Sequence, residues 1–235
     1  MYILENNQLR IQIASMGAEL KSLYSKTKLK EYLWQGDPKW WGRSAPHLFP
    51  RIGYEVNEYI EKHNIVKHGY ARDTEFILIE QSSTSLSFKM KDELIVKYEL
   101  IENSLEVCYE VLVDFPFMIG GHPAFNIDSF PVDLRFSNKC DYYKLLDGVI
   151  DKSNSYKIGS EVLIINENTF TDDALVFNNS LKQSQVCLER DLVLTYDSEL
   201  LGVWSPPGAP FVCLEPWWTS SSSIRNLNYT IRLLY

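Results

Sequence analysis

No run of lysines and arginines, no apolar stretch near the roughly 18 residues of a membrane helix, and no CxxC pair occurs in this chain. The first absence removes the basic track that a phosphate backbone requires, and a net charge of −8, from 31 acidic and 23 basic residues, opposes such binding further. Nucleic acid is therefore not an expected partner. The second absence speaks against a helical membrane anchor. Residues Met1–Asn7 show no charged segment leading into an apolar one, so the expected location is the cytoplasm, with no membrane partner. The four cysteines, Cys108, Cys140, Cys187 and Cys213, form neither a disulfide framework nor a local metal pair. They are expected to be reduced, with Cys108 and Cys213 as small core residues inside apolar stretches. Helix is scarce as well: no segment holds a 3.6-residue apolar stripe for three turns.

What is present is period two. Leu9, Ile11 and Ile13 alternate with polar residues, as do Leu86, Phe88 and Met90, then Val96, Tyr98 and Leu100. Leu105, Val107, Tyr109, Val111 and Val113 continue after a short polar turn at Glu102–Ser104, which predicts a hairpin over 95–113. A closing strand is expected at Tyr229, Ile231 and Leu233. Many short strands with little helix predict an all-β, antiparallel sandwich or barrel, and at 235 residues a single domain spanning 1–235 is expected. Residues 137–172 are more polar, with Asp147, Gly148, Asp151, Asn154 and Gly159 marking turns, and read as a long excursion from the sheet. Residues 219–223, a threonine and four serines, read as a loop.

Four segments break the alternation in ways that ordinary turns do not, and such inconsistencies concentrate at functional sites. Trp40–Gly53 is dense in aromatics, prolines and arginines. Its Trp40 and Trp41 either pack in a core or offer a flat wall to the C–H face of a sugar ring; Arg51 either pairs with a carboxylate or donates a fork of hydrogen bonds to a ligand. Lys67–Phe76 places a glycine directly after His68, which permits close approach of another group to the backbone. Ile119–Asn126 holds His122 between two glycines and a proline, a costly setting for a side chain that only fills space. Phe211–Trp218 carries a lone carboxylate, Glu215, between a short apolar strand and Pro216-Trp217-Trp218. Burial there would raise its pKa into the range of a useful base, whereas a structural ion pair with an arginine is the alternative. His47 and His63 have no comparable setting.

Several chemistries lack their parts. There is no HExxH or related pair, so no metal or other cofactor is expected; there is no GxSxG elbow for a serine nucleophile; only one carboxylate has the setting that paired-carboxylate glycosidases need twice. Acid–base chemistry with one carboxylate and one imidazole remains.

Taken in order, Met16–Leu23 with its Gly17-Ala18-Glu19-Leu20, then Leu48–Gly53, His68–Asp73, Gly120–Asn126, Asp172–Phe177 and Cys213–Trp217 resemble the aldose 1-epimerases, in particular their smaller LacX-like branch. The resemblance spans nearly the whole chain. It implies a large antiparallel β-supersandwich of the galactose mutarotase type and an isomerase that interconverts the α and β anomers of an aldose, its small-molecule partner. By the same resemblance Glu215 is the base at the anomeric hydroxyl and His122 the acid at the ring oxygen. His68, Arg51 and Trp217 bind the sugar, and Asp173, or its neighbour Asp172, accepts from a sugar hydroxyl. The chain is shorter than typical members, which bears on sugar preference because loops carry much of it. A monomer or homodimer is expected. Two further readings stay open: an epimerase of hexose 6-phosphates using Arg43, Arg51 and Arg72, and a non-catalytic sugar binder.

Overall fold

The period-two segments pair as strands across nearly the whole chain. The computed structural model describes residues 1–158, 160–179, 183–219 and 226–235; Gly159 and Ser220–Ser223, read above as turn and loop, lie outside the described residues. Within them the ladders are antiparallel, and helix is confined to Glu58–His63 and a 3-10 turn at Ala71–Asp73. The fold is all-β.

Two nine-stranded sheets face each other. The first runs in space from Val162–Ile165 through Val132–Phe136, Ser184–Leu188, Leu192–Tyr196, Asn226–Leu233, Ser104–Val111, Leu94–Ile101 and Ser85–Met90 to Ile77–Gln81. Leu94–Ile101 and Ser104–Val111 form the expected hairpin, closed at Ile101 and Ser104, with Glu102 turning at φ 52°. The second sheet centres on Phe211–Trp218, flanked on one side by Leu200–Trp204, Leu175–Asn178 and Asp141–Leu146, and on the other by Ile119–Gly121, Ala124–Asn126 and His47–Leu48. A four-stranded sheet, Tyr2–Glu5 to Lys30–Glu31, adds Leu9, Ile11 and Ile13 to the shared core.

Alternation decides which side chains reach that core. In Phe211–Trp218, Val212, Leu214 and Trp218 join the packing between the two large sheets, so Phe211, Cys213, Glu215 and Trp217 face the opposite side. All eight residues are nonetheless buried, because the segments around residues 34–41 and 48–72 cover the outer face of this sheet. A lone carboxylate is thus held under a lid of loops rather than in the sandwich core.

Two expectations need correction. Residues 137–172 are not an excursion: Asp141–Leu146 pairs with Leu175–Asn178, and Val162–Ile165 pairs with Val132–Phe136, so the segment supplies edge strands to both large sheets. Edge strands here are half-exposed, which is why their apolar alternation is weak. Cys108 is not a core residue. Leu105, Val107 and Tyr109 point inward, so Cys108 lies on the other face, half-buried near Glu106 and Lys97.

His47 has a structural place. Its Nδ1 lies 2.8 Å from the Tyr109 hydroxyl and its Nε2 2.7 Å from the Tyr98 hydroxyl, which itself donates to the Ala18 carbonyl. The Tyr98 proton is therefore committed, so Nε2–H donates to Tyr98 and Nδ1 accepts from Tyr109. Burial lowers the His47 pKa from 6.5 to about 4. The unfolded chain takes up this proton first, so the stability from neutral His47 is present above pH 6.5 and is lost as pH falls toward 4. In His47→Gln, the slope of unfolding free energy against pH in that window is expected to shrink by about 1.4 kcal/mol per pH unit, read from urea midpoints.

Candidate active site

A cavity of about 260 Å³ lies under the lid, on the outer face of the second sheet. Glu215 and Trp217 reach it from the central strand, and Gly202, directly opposite Glu215 in the next strand, leaves the room they need. A Cβ on Gly202 would lie 2.6 Å from the Trp217 indole, and one on Gly120 would lie 2.7 Å from it. Two glycines on neighbouring strands thus make the slot for one tryptophan.

His122 enters from the break between Ile119–Gly121 and Ala124–Asn126. Its backbone N–H donates to the Pro46 carbonyl at 3.0 Å, and the Leu214 N–H donates to the Pro123 carbonyl at 3.1 Å, which pins the imidazole beside the central strand. Trp41 stacks on the ring, centroids 4.6 Å apart. His122 Nε2 lies 3.2 Å from Glu215 Oε2, with His122 7% and Glu215 1% exposed. Burial pushes this pair in opposite senses, the Glu215 carboxyl well up and the His122 imidazole well down. Each is driven toward its neutral form.

His68 sits across from His122, ring centroids 5.9 Å apart. Burial first, then the nearby charges of Arg72 and Lys67, lowers its pKa to about 3. The Gly53 N–H donates to its Nδ1 at 3.2 Å, so the proton of the neutral ring is on Nε2, a fixed donor for a ligand oxygen. The backbone here is left-handed at both His68, φ 65°, and Gly69, φ 72°. Gly17 backs the same loop: a Cβ on it would lie 2.8 Å from the Arg72 carbonyl. Glu19 accepts from the Ser44 and Ala45 N–H groups at 2.6 and 3.2 Å, fixing the chain that leads to Trp41 and His47. The amino-terminal Gly17-Ala18-Glu19 is therefore a clamp on the two loops that form the lid.

The two aspartates separate cleanly. Asp173 lines the cavity with a left-handed backbone, φ 80°, one oxygen accepting from the Ala174 N–H at 2.8 Å, whereas Asp172 points away to Lys144 at 3.1 Å. Arg51 is not brought into the cavity. Its guanidinium donates to the carbonyls of Glu55, Ile65 and Tyr54 at 2.8, 2.5 and 2.8 Å, satisfying loop acceptors that have no strand to pair with. Arg72 and Lys67 line the cavity in its place. Sequence reasoning also missed Trp204, which forms a wall with Trp41; the signal was its position two residues after Gly202, on the same face of the strand. Leu145, Gly148 and Ile150 close the far side, tied on by the Ile150 N–H donating to Glu55 at 2.7 Å.

Residues 1–191 match the family model described as aldose 1-epimerase. The chain belongs to that family. Two further comparisons agree with the assignment. Protein LacX of Lactococcus lactis subsp. lactis is 28% identical, the match covering 96% of this chain and 90% of that protein. Among solved structures, a galactose mutarotase related enzyme from Lactobacillus acidophilus superposes with TM-score 0.84 at 22% identity, covering 100% of this chain and 97% of the other. A galactose mutarotase-like protein from Lactobacillus casei superposes with TM-score 0.82 at 24% identity over 100% of both chains. The fold is thus the galactose mutarotase-like supersandwich.

Proposed function

We propose that the chain is an aldose 1-epimerase acting on a neutral aldohexose, with Glu215 as base and His122 as acid. The observation that carries this reading is the buried carboxylate–imidazole pair, 3.2 Å apart, sharing a cavity with a neutral histidine donor and three tryptophan faces. In the closed sugar the pair is charged. Glu215 takes the proton of the anomeric hydroxyl while His122 gives its proton to the ring oxygen, and the bond between that oxygen and the anomeric carbon breaks. The open aldehyde then faces a neutral Glu215 and a neutral His122. Rotation about the bond to the next carbon presents the other carbonyl face. On reclosure His122 recovers its proton from the ring hydroxyl and Glu215 returns the other to the anomeric oxygen, so no net proton is consumed.

Burial favours the neutral pair, which is the pair that accompanies the opened sugar. His68 donates through Nε2, Asp173 accepts, Arg72 and Lys67 donate, and Trp41, Trp204 and Trp217 pack the ring. Two of the three arginines that a sugar phosphate would use are already engaged, Arg51 by carbonyls and Arg43 by Asp73 at 2.6 Å, which favours an uncharged sugar.

The test is polarimetry of freshly dissolved α-D-glucose and α-D-galactose with and without the protein. A rate equal to spontaneous mutarotation on every aldose and aldose phosphate tried would sink the proposal. The aspartates give a sharper check in the same assay. Asp173→Asn is expected to raise KM by about 10- to 100-fold, the loss of one hydrogen bond to a charged group. Asp172→Asn is expected to stay within about twofold, since an exposed ion pair is worth under about 1 kcal/mol.

A further inference from the structure

Glu215 and Cys213 are two residues apart on one strand and so point the same way, toward His122. Among the described residues, these three bring one ligand atom each to within 4.8 Å of one another, and all three are buried. A thiol, an imidazole and a carboxylate converging in this way form a donor set for a borderline-soft cation, although no two of them stand at a spacing that marks a metal site in a sequence. A tetrahedral zinc with sulfur at about 2.3 Å and nitrogen or oxygen at about 2.0 Å holds its ligand atoms roughly 3.5 Å apart, so modest side-chain rotations close the site. Glu215 Oε2 takes no hydrogen bond in the described structure, and neither does His122 Nδ1, so each has an atom free to take a ligand.

We propose that a thiophilic divalent cation of the zinc class binds His122, Cys213 and Glu215, leaving a fourth position open to the cavity, and thereby blocks anomer exchange. The blocking half rests on the catalytic reading of Glu215 and His122 given above. A cation on the carboxylate and the imidazole withdraws both the base and the acid. Magnesium and calcium are poor occupants, since they require oxygen ligands and larger coordination numbers. Cys213 plays no part in the proton transfers, so the thiol separates the two roles of the site. Its proton must leave for the metal to bind, which makes binding tighter as pH rises.

Titration with Co²⁺ reads the site without reference to activity, because a thiolate–cobalt bond has a near-ultraviolet charge-transfer band. One equivalent is expected to develop this band in the native chain and to lose it in Cys213→Ser and in Cys213→Ala, the second being a small apolar replacement suited to a buried position; circular dichroism melts establish that each variant is folded. In parallel, Zn²⁺ is expected to suppress anomer exchange and EDTA to restore it. The Zn²⁺ concentration for half-inhibition should rise by at least about tenfold in either variant, as expected for loss of a thiolate ligand. Absence of the band in the native chain, or its persistence in both folded variants, overturns the metal site even if exchange is observed. A cysteine-dependent band in a protein that exchanges no anomers supports the metal site and counts against the catalytic reading instead.

Discussion

Glu215→Gln is expected to slow anomer exchange by about 10²- to 10⁴-fold, the usual worth of one positioned general base, while leaving the protein at least as stable. Both halves follow from burial. The amide is nearly isosteric with the carboxyl, so the strand, the Gly202 slot and the stacking of Trp41 on His122 persist. It has no proton affinity in the working range and cannot take the anomeric proton. At the same time burial pushes the Glu215 carboxyl well up, so in the folded state ionisation is costly. A raised carboxyl gives stability that is fully present below its unfolded pKa and is lost as pH rises through the folded value. The variant has no such charge to bury at neutral pH, and its urea midpoint at pH 7 should equal or exceed that of the native chain. A fall in both rate and stability would identify Glu215 as a structural residue; a fall in rate alone is the mark of a group kept for chemistry at a cost to the fold.

The same strand shows how far the sequence can be read. Phe211–Leu214 reads as a continuous apolar run, so the lone carboxylate that follows it marks the site, but which of its residues meet the sandwich core is decided by strand alternation in the fold. Cys108 was legible by the same rule: flanked by Val107 and Tyr109, it had to lie on the opposite face. His68 and His122 announced themselves by their glycines, each of which is required by a specific backbone or side chain nearby. What alternation cannot reach is the choice between Arg51 and Arg72. Both sit in irregular loops, and which guanidinium faces the ligand depends on where unpaired carbonyls of Tyr54, Glu55 and Ile65 come to lie, a tertiary fact with no local pattern. The edge strands within 137–172 escaped for a related reason, since half-exposed edges need not alternate. Cys213 read correctly as a buried residue, but its neighbourhood with His122 depends on the break in the adjacent strand.

Gly69→Ala tests the link between that loop geometry and the site. A Cβ at position 69 would lie 2.0 Å from the Phe49 carbonyl oxygen and 2.3 Å from its carbon, and φ there is 72°. Neither obstacle has a cheap remedy. The neighbour is backbone and already accepts from the Tyr70 and Ala71 N–H groups at 2.9 and 3.1 Å, so it cannot retreat without breaking bonds at the start of the 3-10 turn. The left-handed conformation alone costs an alanine about 1 kcal/mol, and displacement of the backbone adds several times that, so unfolding free energy is expected to fall by about 3–5 kcal/mol in urea titration. Gly42→Ala is the control: nothing lies within 4 Å of a Cβ built there, and a change within about 0.5 kcal/mol is expected. Where the Gly69 variant still folds, the shift must reach His68, the preceding residue, and move its Nδ1 off the Gly53 N–H. Loss of that bond frees the ring to change tautomer, so anomer exchange should fall by more than the folded fraction predicts. Exchange that tracks the folded fraction alone would mean that the glycine serves the fold and leaves the orientation of His68 to other contacts.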